Sequence, residues 1–257
     1  MDRRGGRVRN VLTRFSDRVD NYVRYRPGYP DGLLELLRAE CRLSPDETVV
    51  DIGCGTGISS RIFLDNGNRV IGVEPNAAMR SAAERELSLY PWFRTVDGTA
   101  ERTGLDDNVA DVVTAMQALH WFDKRAAGAE FRRILRPGGR IIVVWNERQL
   151  DTTPFLAEYE MLLRRFGTDY DTVRHDRTTD EEFVELFGGE YERARFDNEQ
   201  HLDLEGLVGR TASSSYMPNE DMPEFAELRK ELELLFANHE RNGRIALLYD
   251  TNVFYSC

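Results

Sequence analysis

Gly53, Gly55 and Gly57 alternate with Cys54 and Thr56 directly after the apolar run Val49-Val50-Asp51-Ile52, and Glu74 stands 21 positions beyond Gly53. A β-branched run that ends in alternating glycines is a strand turning sharply into a helix. Glycine is needed where a Cβ would block the turn or keep a ligand from bare backbone. An acidic side chain at about this interval, at the end of the next strand, is placed to accept hydrogen bonds from ribose hydroxyls. The combination predicts a site for an adenosine-containing cofactor at the carboxyl ends of parallel strands. A dinucleotide fingerprint would need its third glycine at position 58 or 60, where Ile58 and Ser60 stand, which weakens a nucleotide-dependent dehydrogenase.

Other residue types in the chain can handle protons and charge. His120 follows the apolar run Val109–Met116, and an imidazole titrating near neutrality suits proton abstraction from an acceptor. A histidine that only packs or caps is the competing account. The Arg26 guanidinium fork matches a carboxylate, of a cofactor or of an acidic substrate. Tyr22, Tyr25, Trp121, Phe122 and Tyr216 offer aromatic walls for a pocket, or simply packing.

The elements that must position these residues follow a β-α alternation between residues 45 and 150, the pattern of a parallel sheet. Strands are expected at Thr48–Ile52, Arg69–Val73, Phe93–Val96, Val109–Met116 and Arg140–Trp145. Asn76 is expected to cap a helix running through Met79, and Arg136-Pro137-Gly138-Gly139 to end the helix before the fifth strand. Beyond residue 150, helices are expected near 153–166, 180–187, 205–213 and 221–241, with strands near 191–202 and 244–255 forming an antiparallel hairpin. The fold class is therefore α/β: a doubly wound, seven-stranded, mostly parallel sheet with an antiparallel last strand, helices on both faces and a helical cap. One domain is expected over 1–257, with an amino-terminal helical lid (1–45), a cofactor-binding core (46–150), and cap helices with the last two strands (151–257).

Composition excludes several classes. The formal net charge of −11 would repel a polyanion and argues against a nucleic-acid partner. The first 26 residues run the other way, with eight arginines against three aspartates, as a basic patch or a solvated amphipathic segment. No apolar run approaches the roughly 20 residues that span a bilayer, and the amino terminus has no apolar signal region, so no membrane partner and a cytoplasmic location are expected. Cys41, Cys54 and Cys257 are too few and too scattered for a disulfide framework or a thiolate metal cluster, so no metal is expected. A monomer or homodimer acting on a small molecule fits this composition.

The form Asp51-x-Gly53-x-Gly55-x-Gly57 resembles the first motif of class I S-adenosylmethionine-dependent methyltransferases. Gly72-Val73-Glu74-Pro75-Asn76 looks like the second motif, Gly98-Thr99-Ala100-Glu101 like the third, and Leu135–Gly139 like the segment before strand five. Tyr22–Pro30 together with His120-Trp121-Phe122-Asp123 is similar to a small-molecule branch that includes trans-aconitate methyltransferase-like proteins.

The resemblance implies S-adenosyl-L-methionine as cofactor. The Gly53-Cys54-Gly55-Thr56-Gly57 loop would cradle its methionine part, Asp51 would fix the loop and orient toward the ammonium, and Glu74 would hold the ribose. Pro75 and Met79 would pack on the adenine, with Thr99, Ala100 and Glu101 near its edge and the Gln117 backbone near the ammonium. Thr99 departs from the aspartate that many relatives carry there. Tyr22, Tyr25 and Arg26 would belong to a lid over the site, with Trp121 and Tyr216 facing substrate and His120 beside the methyl as a base. The activity implied is methyl transfer to an oxygen, nitrogen or carboxylate of a small molecule. The alternatives are a non-catalytic cofactor-binding scaffold, or an RNA or protein methyltransferase.

Overall fold

The computed structural model describes residues 18–168, 170 and 178–257. The arginines at 3, 4, 7, 9 and 14, on which most of the expected basic patch rests, lie outside the described residues.

Among the described residues, the chain opens with α1 (Val19–Tyr25) and α2 (Asp31–Glu40) and enters the sheet at β1 (Thr48–Ile52). It continues through α3 (Ile58–Asp65), β2 (Arg69–Val73), α4 (Ala77–Glu86), β3 (Phe93–Val96), β4 (Ala110–Met116), α5 (Lys124–Ile134) and β5 (Leu135–Arg148). Then follow α6 (Pro154–Phe166), α7 (Asp180–Phe187), β6 (Glu192–Leu202), α8 (Leu204–Ala212), α9 (Pro223–His239) and β7 (Ile245–Ser256).

The seven strands form one sheet in the order β3-β2-β1-β4-β5-β7-β6. β1 to β5 pair in parallel. β7 runs antiparallel to both β5 and β6 and is the reversed strand of the expected architecture. Because strand order turns back between β1 and β4, a crevice opens at their carboxyl ends.

The central strands are buried on both faces, as parallel strands covered by helices must be. Val49, Val112, Ile142 and Val144 point to the face packed by Leu33 and Leu37 of α2 and Phe63 of α3. Their neighbours Val50, Val113, Ile141 and Val143 point to the opposite face, against Phe131 and Ile134 of α5 and Phe183 and Leu186 of α7. A third cluster joins α6, α8 and α9 to Leu247 and Tyr249 of β7, and this is the cap. β5, β6 and β7 carry it because they are long, at 14, 11 and 12 residues against five for β1 and β2.

Three expectations need correction. Arg136–Gly139 was expected to separate helix from strand, yet Leu135 already pairs with Ala110, and the next pair along is Val112 with Arg140. The intervening residues bulge out with Gly138 at φ 78°, because Leu135 is buried and stays in the sheet while Pro137 has no N–H to give it. β6 and β7 pair through eleven residue pairs but are no hairpin, since α8 and α9 lie between them. Cys41 and Cys257 form a disulfide with Cα atoms 5.0 Å apart. Their 216-residue separation hid that pairing, which arises because β7 ends beside the last turn of α2.

The amino-terminal segment is stitched to the cap by polar contacts. Arg18 donates to the carbonyls of Ala212 (2.8 Å), Ser214 (2.5 Å) and Met217 (2.6 Å). Gln200 holds the Tyr25 carbonyl at 2.8 Å, and Asn146 holds that of Gly28 at 2.9 Å. The lid therefore lies across the carboxyl ends of β5 and β6.

Candidate functional site

The loops after β1, β2, β3 and β4 meet the lid and the cap around a cavity of about 640 Å³. That is within the usual range for small-molecule sites. Gly53, Cys54 and Gly55 form one wall, Glu74, Pro75 and Met79 the next, and Thr99, Ala100 and Glu101 the third. Gln117, His120 and Trp121 enter from the segment after β4, Tyr22 and Arg26 from the lid, and Tyr216 from the cap. The fold thus brings fifteen of the eighteen sequence-derived candidates to one cavity. Asp51, Gly57 and Tyr25 are the exceptions.

All three glycines of the loop have positive φ, at 70°, 55° and 88°. They differ in what surrounds them. A Cβ on Gly53 would come 2.6 Å from the Ala118 Cβ, and one on Gly57 would come 2.6 Å from Leu87 Cδ1, so these two glycines pack the loop onto its neighbours. A Cβ on Gly55 would meet only Met79 Cε, at 3.9 Å, and would otherwise fill the cavity. Gly55 is where the backbone lies bare to a ligand. Gly57, as the αL residue before α3, serves the turn instead.

Glu74 is buried, and its two oxygens accept from the backbone N–H of Gly55 (3.1 Å) and of Asn76 (2.9 Å). Burial raises its pKa, opposed by those two donors. The carboxylate therefore braces the glycine loop against the start of α4, where the Asn76 side chain caps Ala78 and Met79 at 3.0 and 3.1 Å. Each oxygen keeps a lone pair for a ligand hydroxyl.

Asp51 stands behind the loop, fully buried. Its Oδ2 accepts from the hydroxyls of Ser59 (2.6 Å) and Ser60 (2.7 Å), tying β1 to the first turn of α3, while Oδ1 has no partner. Burial pushes its pKa up to about 6, against the lowering effect of the two serines. A carboxyl whose folded value lies above its unfolded value favours folding when protonated. Its contribution to stability is full below about pH 4, is lost as pH rises toward about 6, and amounts to about 3 kcal/mol across that window. Asp51→Asn should therefore gain stability relative to wild type between acid and neutral pH, read as urea midpoints at pH 4.5 and 7.5. A difference that does not move with pH would show that the carboxyl stays in one protonation state.

After β4 the chain turns at Gln117 with φ 60°, an uncommon conformation for a residue with a side chain and one that gathers at functional sites. Its N–H is held by the Val144 carbonyl (3.0 Å) and its Nε2 by the Asn146 carbonyl (3.0 Å), whereas Oε1 is buried without a partner. A short 3-10 turn, Leu119–Trp121, then carries His120, whose ring lies 4.6 Å from that of Trp121 and 5.6 Å from that of Trp145. Glu101 accepts from the Asp123 N–H at 2.9 Å and so fixes the start of α5 to the third wall.

Tyr25 was expected on the substrate side, but it packs on α8. The approach is close enough that a Cβ on Gly209 would lie 2.1 Å from the Tyr25 ring. Only glycine leaves room for the lid to dock there.

Sequence reasoning missed Tyr29, Asn146, Arg148, Arg210 and Tyr249, all of which line the cavity. Asn146 and Arg148 lie at the far end of β5, and Tyr249 pairs with Arg148 across the sheet. Arg210 had one legible signal: three and four positions away on either side stand Gly206, Leu207, Ser213 and Ser214, so no acid on its own helix face pairs with it.

The family model described as a methyltransferase domain matches residues 50–143. A methyltransferase of Mycobacterium tuberculosis, itself uncharacterized, is 34% identical over 209 residues, covering 81% of this chain and 79% of its own. A methyltransferase-like protein of Schizosaccharomyces pombe is 26% identical over 253 residues, with 95% of both chains covered. Among solved structures, one described as a putative type II methyltransferase from Anaeromyxobacter dehalogenans superposes with a TM-score of 0.65 at 23% identity, covering 90% of this chain and 97% of that one. The chain belongs to the class I S-adenosylmethionine-dependent methyltransferases. It is an enzyme of that class.

Proposed function

We propose that this methyltransferase acts on a small molecule held between the cofactor loop and the lid and cap. The enclosure carries this reading. A cavity of about 640 Å³, lined by Tyr22, Arg26, Arg210 and Tyr216, would hold cofactor and acceptor together, and that size suits a compact acceptor.

The residues present fit S-adenosylmethionine. Gly55 offers the bare backbone cradle, Glu74 the acceptors for ribose hydroxyls, and Pro75 and Met79 an apolar seat for the adenine. The orphaned Oε1 of Gln117, which lines the cavity, is a hydrogen-bond acceptor of the kind an ammonium group satisfies. Thr99 stands in the adenine-edge wall, where its backbone already bonds Arg102. When bound, the cofactor supplies an electrophilic methyl on a sulfonium.

The protein's part is alignment and exclusion of water. The lid and cap wall part of the cavity, Trp121 lines it beside His120, and His120 accepts a proton where the attacking atom is a hydroxyl or a protonated amine. A carboxylate acceptor would need no base.

The test is incubation with methyl-labelled cofactor and a cell extract fractionated into metabolites, protein and RNA, followed by mass spectrometry for transferred label. Label is expected in a low-molecular-weight product. His120→Ala should lower kcat by about 10²- to 10⁴-fold with cofactor affinity held. Label confined to protein or RNA would overturn the acceptor class, and an unchanged kcat would remove the base.

A further inference from the structure

The side of the cavity formed by the lid, the end of β5 and the cap carries more positive charge than the protein neutralises. Three guanidinium groups line it, those of Arg26, Arg148 and Arg210. Arg148 is compensated: its Nη2 donates to Glu160 at 2.5 Å, and its guanidinium stacks over the Tyr159 ring at 5.1 Å. Arg26 and Arg210 have no carboxylate partner among the described residues.

Arg210 is only 8% exposed, and its hydrogen bonds go to two neutral hydroxyls, Tyr249 at 3.3 Å and Ser214 at 3.1 Å. Arg26 donates from Nη2 to the Ser213 carbonyl at 2.9 Å, lies over the Tyr22 ring at 4.7 Å, and keeps its buried Nε without a partner. Adjacent residues, Ser213 and Ser214, thus anchor the two guanidiniums side by side. Burying one unpaired cation is costly, and two near each other cost more. Such an arrangement persists where a ligand brings the missing anions. Arginine is suited to this role because its fork meets a carboxylate through two parallel hydrogen bonds.

Charge counting then divides the two. The cofactor brings one carboxylate, on its methionine part. Arg26 belongs to the lid three residues before Tyr29, and Tyr29 lines the cavity and also, with Thr56 and Gly57 of the cofactor loop, a smaller second pocket. Arg210 lies deeper in the cap, bonded to Tyr249, with Tyr216 beside it in the wall. One cation is left over after the cofactor is satisfied, and it is the one in the acceptor half.

We propose that Arg210 anchors a carboxylate of the methyl acceptor, so that the acceptor is an anionic small molecule, with Arg26 taking the carboxylate of the cofactor. The inference rests on the methyltransferase site described above. The anchored carboxylate is a handle and not the attacking atom, because the guanidinium draws off its charge and lowers its nucleophilicity. Serine and tyrosine hydroxyls around Arg210 orient the fork without neutralising it.

Calorimetric titration of the protein saturated with S-adenosylhomocysteine tests this, with succinate as the anionic probe and succinamide as its uncharged counterpart. Succinate should bind at least about tenfold tighter than succinamide, the size of a charge-assisted hydrogen bond. Arg210→Gln should erase that preference while leaving S-adenosylhomocysteine affinity within about twofold, and Arg210→Lys should restore part of it. The comparison of succinate with succinamide needs no variant and stands even if Arg210→Gln fails to fold. Equal binding of the two probes would overturn the proposal, as would succinate binding seen only without S-adenosylhomocysteine, which would assign both cations to the cofactor. Failure of S-adenosylhomocysteine itself to bind wild type would overturn the underlying site and this proposal together.

Discussion

Gly53→Ala should lower the melting temperature by roughly 5–15 °C, the largest stability loss expected from one added methyl group in the cofactor loop. Two costs combine. At φ 70° an alanine is strained by about 1–2 kcal/mol, and its Cβ would stand 2.6 Å from the Ala118 Cβ, where neither atom can rotate away. Relief requires the loop to separate from the segment after β4, and overpacking of that kind costs about 1–3 kcal/mol. The same displacement moves Gly55 and Gln117 apart, so cofactor affinity should fall with stability. Gly138→Ala is the control. Its φ is 78°, but nothing lies within 4 Å of the new Cβ, so only the backbone cost remains. Thermal unfolding of both variants decides the matter, and equal shifts would show that the contact with Ala118 relaxes freely.

Glu74→Gln should weaken S-adenosylhomocysteine binding by about 10- to 100-fold, since hydrogen bonds to a charged group are worth about 1.5–3 kcal/mol. The amide keeps one oxygen for the Gly55 or Asn76 N–H, now at 3.1 and 2.9 Å, but presents an NH₂ to the other donor and to the ribose. Affinity is measured by calorimetry and fold by near-ultraviolet circular dichroism. If affinity holds while the melting temperature drops, Glu74 is a brace for the loop and not a ribose ligand.

The difference between these two residues explains what could be read in advance. Gly53 and Glu74 were legible because a β-α unit is local. A buried strand, a glycine turn and an acid about 20 residues on are separated by fixed geometry, so spacing in sequence is spacing in space. Asn76 was legible for the same reason, since an N-cap acts on residues two and three positions away. His120 and Gln117 could be placed after β4, but what they face could not.

Tyr25 and Tyr22 mark the limit. Both are aromatic and three residues apart on one short helix, yet Tyr22 lines the cavity and Tyr25 packs on Gly209, 184 positions further along. Which tyrosine turned inward depended on where α8 has no side chain. Arg210 shows the converse, for its neighbours in sequence are neutral and its charge matters only because the fold sets it beside Arg26. The Cys41–Cys257 bridge was hidden in the same way, by the antiparallel insertion of β7 between β5 and β6.

The sequence by itself determined the glycine loop, its acidic partner and the β-α unit that joins them, since the paired residues of β1 and β2 lie only 21 positions apart. Only the tertiary structure decided the opposite wall of the cavity. There the lid, the end of β5, the cap helix α8 and the start of β7 come together from four distant parts of the chain, and the charge of the wall is a sum over contacts that no local pattern encodes.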